Sequence, residues 1–312
     1  MDEKIDKLIL KEKELLSLIT SNEMFYVSLK QTEHYGLSIN IINKLIDIKT
    51  NLLANNGNVI FTYSTLRYVF ETLINSKLLL IEPKQTYKLY YFIYEHHIGK
   101  TDRFIKVLKN EISLIEKYIK LEQNNFEEFK NITNDNERFQ LTSEKMNETE
   151  KLIDEQAEKE LTIFFGDYKF NGYAYQKTLM EKELLPKYLE KLKGLNQQKK
   201  EISKQILLNS TMSALFNFKR QPSKIFAELK DIRSWNCKAK AVDLENEYLQ
   251  IYELCSAIMH STSYSLLTTK ELEYGEKQFV TDLLLKYSTE IIKNIEKYLN
   301  LKQFAKFKIN NI

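Results

Sequence analysis

Four side chains in this sequence have the types and surroundings for acid–base or phosphate chemistry: Arg67, Glu71, Tyr252 and His260. The stretch from Tyr248 to His260 reads as a helix closed by a histidine, with Ser261 and Thr262 following it. An unperturbed imidazole titrates at about 6.5, so His260 can serve as acid, base or hydrogen-bond anchor near neutral pH. Tyr252 lies two turns earlier and can share its face. Arg67-Tyr-Val-Phe-Glu71 sets opposite charges four residues apart on one helix face, among Leu66, Val69, Phe70, Leu73 and Ile74. Charges among apolar side chains are costly unless they are paired or put to use. Each group also has a structural alternative. Arg67 and Glu71 can simply fix helix packing, and His260 can cap its own helix end, where a positive charge is favoured.

Other chemical signatures are missing. His96-His97 are adjacent and point different ways on a helix, so a shared metal site is not expected, and His34 stands alone. There is no His-Glu-x-x-His, P-loop or Gly-x-Ser-x-Gly, and no metal or cofactor is called for. Cys237 and Cys255 lack zinc-ligand spacing and form no disulfide framework, which fits reduced thiols in the cytoplasm. The charged start Met-Asp-Glu-Lys-Ile-Asp-Lys has no signal-peptide core, and runs such as 78–81 are too short to span a bilayer, so no membrane contact is expected.

The charge is unevenly spread. Residues 121–160 hold five Lys/Arg against twelve Asp/Glu, and residues 184–240 hold thirteen against four. The basic stretch supplies Lys219, Arg220, Lys224, Arg233, Lys238 and Lys240 as candidate nucleic-acid contacts, with aromatics interleaved among lysines over 216–230. The competing reading is a set of solvated helix faces.

The elements that must position these groups are helices. Seven glycines and three prolines in 312 residues are too few for the turns of sheet-rich or nucleotide-binding folds. The fold class expected is all-α, a helical bundle with a long antiparallel helical-hairpin, coiled-coil-like arm. Apolar spacing predicts helices over about 3–20, 23–38, 40–53, 64–81 and 85–97. From 101 to 129, Ile105, Ile112, Ile119 and Phe126 take one heptad position and Leu108, Ile115 and Phe129 the other, with Glu122 as the defect. A turn at 131–136 and an acidic helix to about 165 complete the arm, inserted between bundle parts 1–100 and 166–312. Such an arm suits packing, dimerisation or a protein partner. A long helix over about 175–209, with kinks at Pro186 or Gly194, comes next. After it come a short helix at Pro222, a basic loop over 234–242, Asp243 as N-cap of the helix ending near His260, and a last helix over 274–300.

Arg-x-x-x-Glu in an apolar helix, followed late in the chain by Tyr-x-x-x-Cys/Ser-x-x-x-His-Ser, resembles uncharacterised helical bacterial proteins distantly similar to the HEPN superfamily. The matching pieces are 67–80 and 222–263, with 101–165 as an insertion. The resemblance implies a four- or five-helix bundle, often dimeric, from toxin–antitoxin or phage-defence systems, that binds or cleaves RNA. It also implies His260 as acid/base, Arg67 as phosphate clamp, Glu71 orienting Arg67 and Tyr252 bonding near the scissile group. The departure is plain: the usual Arg, four to six residues, then His on one helix is missing. The alternative function is a non-enzymatic immunity, adaptor or inhibitor protein that works through the arm.

Overall fold

The computed structural model describes residues 2–23, 32–54, 58–82, 84–130, 136–161, 172–208, 227–259 and 271–299. Among them the chain is all-α, and its one β feature is an isolated bridge between Asn58 and Glu271. The helices are α1 (Asp2–Glu23), α2 (Thr32–Ala54), α3 (Val59–Ile81), α4 (Gln85–Lys130), α5 (Asn136–Glu160), α6 (Tyr173–Leu179), α7 (Leu185–Leu208), α8 (Trp235–Lys240), α9 (Glu245–Met259) and α10 (Tyr274–Tyr298). A π-helical turn, Met180–Leu184, joins α6 to α7.

Several expected breaks are not made. The helices expected over 23–38 and 40–53 meet at no boundary; α2 runs through 38–40, with Tyr35, Ile42 and Leu45 buried on one side. Gly36 answers a close approach there, since a Cβ would come within 3.2 Å of the Tyr90 hydroxyl. Likewise 85–97 and 101–129 form one helix, α4, through Gly99. A lone glycine costs only about 1 kcal/mol in a helix, which a long packed face offsets. α3 begins five residues earlier than expected, because the Asn58 side chain accepts from the Phe61 amide and caps it.

The region read as a basic loop, 234–242, contains α8, started by Ser234 accepting from the Cys237 amide. Asp243 is not the N-cap of α9. It sits at φ 58°, where the Leu244 amide reaches Ala239 O and the Asp243 amide reaches Lys240 O. That is the left-handed closing residue of α8, a place aspartate tolerates better than most side chains.

The chain divides into unit 1 (Met1–Tyr90 with Ala214–Ile312) and unit 2 (Tyr91–Ser213). The segment marked off in the sequence as 101–165 falls within unit 2, which also takes α6 and α7.

Unit 1 is built round α3, whose Leu66, Val69, Phe70, Leu73, Ile74 and Leu78 are all buried. α10 lies parallel to it: Asn58 bridges to Glu271, Phe70 packs on Tyr287 at 4.9 Å, and Asn294 donates to Ser76 at 3.0 Å. α1, α2, α8 and α9 join the same core. Inside it lies a charged pair. Lys49 Nζ of α2 is 2.6 Å from Glu12 Oε1 of α1, with side chains only 4% and 0% exposed, and it donates to Ser288 Oγ of α10. Burial pushes Glu12 up and Lys49 down, each partly offset by the other's charge.

In unit 2, Leu108, Ile112, Ile115 and Tyr118 of α4 share a core with Ile153 and Ala157 of α5, Leu161, and Tyr173 and Met180 beyond. The buried line thus moves from Ile115 to Tyr118, while Ile119 is half-buried and Phe126 exposed. A straight helix of 3.6 residues per turn drifts off a seven-residue repeat, and the seam expected through Phe126 leaves the core for that reason. Lys117 pairs with Glu160 at 3.4 Å and Asn125 donates to Met146 O at 3.2 Å, so contacts along α4 and α5 run in opposite order. The π turn answers Pro186. An α-helix would aim this imide nitrogen, which has no hydrogen, at Lys182 O; instead the Leu185 amide reaches back five residues to Met180 O.

Candidate functional site

Tertiary folding brings Arg67, Glu71 and Tyr252 together on the rim where α9 packs antiparallel against α3. On α3 the apolar residues around the pair take the buried directions, leaving Arg67 and Glu71 on the remaining edge with side chains 25% and 21% exposed. Arg67 Nε donates to Glu71 Oε1 at 3.0 Å. The guanidinium carbon lies over the Tyr252 ring, 5.1 Å from its centroid. This is a cation on an aromatic face, held side-on by a carboxylate. Among the described residues, only its Nε makes a hydrogen bond, so both Nη groups keep donors for a ligand.

Tyr252 reaches this rim because the inner face of α9 differs from the one expected. Apolar spacing back from His260 predicts an inner face of Leu249, Tyr252, Cys255 and Met259. The buried residues are Tyr248, Ile251, Cys255 and Ile258, at three-and-four spacing, while Leu249 and Tyr252 are exposed. Tyr248 is the member of the site that sequence reasoning missed: its ring lies 5.6 Å from that of Tyr252, tilted by 30°. Its signal was available in the sequence, four residues before Tyr252 on the same helix.

Electrostatics keep Arg67 charged. Burial works against its charge, but the hydrogen bond and charge of Glu71, with smaller help from Tyr248 and Tyr252, hold it above its ordinary value. Burial pushes the Cys255 thiol up to about 11, and Arg67 only partly opposes this. Cys255 is therefore an inert, packed thiol rather than a nucleophile.

His260, Lys219, Arg220 and Lys224 lie outside the described residues. Of the other basic candidates, Arg233 and Lys238 are committed to internal pairs. Arg233 bonds both oxygens of Glu82 and both of Asp231, with Gln85 beyond, and Lys238 pairs with Asp231 Oδ2 at 3.1 Å. Lys238 also lies over the Trp235 ring at 5.0 Å, and Lys88 shares Glu82 at 3.0 Å. Burial would raise Asp231, but its bonds from Arg233 and Lys238 outweigh this and pull it down to about 2. Lys240 remains exposed, 3.8 Å from Glu245.

His34 does not stand alone: its Nδ1 meets the Tyr298 hydroxyl, which also bonds Thr86. His96 and His97 are exposed, and no group of His, Cys, Asp or Glu among the described residues is placed to hold a metal. None of the helices, among the described residues, is long and apolar enough to cross a membrane.

The fold and site define an all-α helical-bundle protein with an arginine–tyrosine rim. Comparison with protein-family models, curated proteins and solved structures gives no match.

Proposed function

We propose that this chain is an RNA-binding protein of a bacterial or phage conflict system, acting in the cytoplasm, and that unit 1 meets RNA at the Arg67–Tyr252 rim. One observation carries the reading: Arg67 is held by Glu71 and backed by Tyr252 while both Nη groups stay free of described partners. A guanidinium fixed in this way suits a phosphate oxygen or the plane of an unstacked base. The resemblance of the Arg-x-x-x-Glu and late Tyr/Cys/His segments supplies the biological setting. Because Arg233 and Lys238 are spent on Glu82 and Asp231, the rim, rather than the whole basic stretch, is the expected contact. Cleavage rests on His260 as acid/base.

The test is fluorescence polarisation with a short labelled RNA, alongside a gel assay of its integrity. Arg67→Gln and Tyr252→Leu are each expected to weaken binding by about 10-fold, within the range of one stacking or charge-assisted contact. Unchanged affinity in correctly folded variants overturns the reading. His260→Ala is expected to abolish any cleavage and to spare binding.

A second reading, a non-enzymatic interaction protein working through 101–165, draws on the exposed Phe126 of α4 and Leu152 of α5. It expects deletion of about residues 105–160 to abolish partner capture, including capture of a second copy, while unit 1 stays folded.

A further inference from the structure

The heptad defect at Glu122 plays no part in RNA contact, yet its surroundings are unusual. Glu122 is half-buried on α4, beside the core that holds Tyr118 at 0% exposure. The α4–α5 register fixed by Lys117–Glu160 on one side and Asn125–Met146 on the other brings Glu150 and Asp154 of α5 opposite it. From α6, Tyr173 gives its hydroxyl to Asp154 Oδ1 at 2.6 Å and stacks on Tyr118 at 5.5 Å. Among the described residues, none of the charges acting on Glu122 is positive. The nearby Lys117 is turned to Glu160.

We infer that the α4–α5 contact is a proton-sensitive joint: an ionised Glu122 sets three carboxylates against one another, and one proton on Glu122 tightens the packing. Geometry selects Glu122 as the proton acceptor. Asp154 is engaged by the Tyr173 hydroxyl, and Glu150 is exposed, so Glu122 is the member that is half-buried without a donor among the described residues. A carboxyl group in such a place holds its proton more firmly than in water. Consistent with this, burial first, then Asp154 and Glu150, raise Glu122 above its usual 4.5. Linkage then fixes the sign. A carboxyl raised on folding contributes stability that is present below 4.5 and is lost as pH rises through its folded value. Carboxylates such as Asp231, pulled down on folding, lose stability in the opposite direction.

The test is hydrogen–deuterium exchange by mass spectrometry on the whole chain, at about pH 5 and about pH 7.5, corrected for intrinsic exchange. Peptides from α5 are expected to be at least about 3-fold better protected at the lower pH, with α3 peptides unchanged. Glu122→Gln is expected to give α5 the low-pH protection at both values. Glu150→Gln, which removes one of the two opposing charges, is expected to shrink the response. Equal α5 protection in the wild type at both pH values overturns the inference, as does a full pH response in Glu122→Gln.

Discussion

Two ion pairs in unit 1 are nearly alike in chemistry and opposite in placement. Glu12–Lys49 joins α1 to α2 inside the core, with side chains 0% and 4% exposed and Ser288 as its added partner. Arg67–Glu71 joins successive turns of α3 at a rim and leaves both Nη groups of its cation without a partner among the described residues. The first pair is far from water and has no room to meet a ligand. The second gives up some of its attraction to solvent and gains access. A charge among apolar residues is thus no pointer to function by itself. What separates a pin from a site is whether the cation still has donors to offer after the fold has used what it needs.

The sharpest way to break this contrast is Lys49→Met. It leaves the buried Glu12 without its cation, neither oxygen having another well-aligned donor in the wild type, and is expected to cost about 3–5 kcal/mol in chemical denaturation. Adding Glu12→Leu should recover most of that loss, since an apolar pair of similar volume often matches a buried ion pair. If the single variant unfolds like the wild type, the pair is not a pin.

An intermediate case is Asp231, whose side chain is 6% exposed and shared by Arg233 and Lys238. Its depressed value means stability present above 3.8 and lost as pH falls toward about 2. Between those values the wild type is expected to lose about 1–2 kcal/mol more than Asp231→Asn, allowing for the partial exposure of Arg233. Parallel urea midpoints across that range would show it.

The smallest stability effect belongs to the rim. Arg67→Ala should cost no more than about 1 kcal/mol, the worth of a partly exposed helix pair with one cation–π contact. A much larger fall in melting temperature would move Arg67 into the same class as Lys49.

These two pairs also show what the sequence could and could not disclose. Arg67–Glu71 is legible because both partners lie within one turn of one helix, so periodicity alone places them together. Tyr252 was legible as a candidate, but its rim position depended on which face of α9 turns inward, a rotation decided by Tyr248 and Ile251 finding the core. Glu12–Lys49 was invisible because its partners lie 37 residues apart on separate helices. The all-α class follows from the scarcity of glycine and proline. Helix ends were harder to place where side chains set them, as Asn58 and Ser234 do, and where packing carried a helix through Ser38 to Asn40 or through Gly99.

The π turn at Met180–Leu184 has a consequence for descent. A helix that reaches back five residues rather than four holds one extra residue while keeping the faces on either side in register. Tyr173 before the turn, Met180 and Leu184 at its two ends, and Leu185 and Tyr188 after it therefore serve one core. Glu181, Lys182 and Glu183 within it are exposed. A lineage could shed one of them without rotating either face, but the closed α-turn would then press Pro186 against a carbonyl it cannot bond. Among chains built on this plan, the spare residue and the proline should be kept together or lost together.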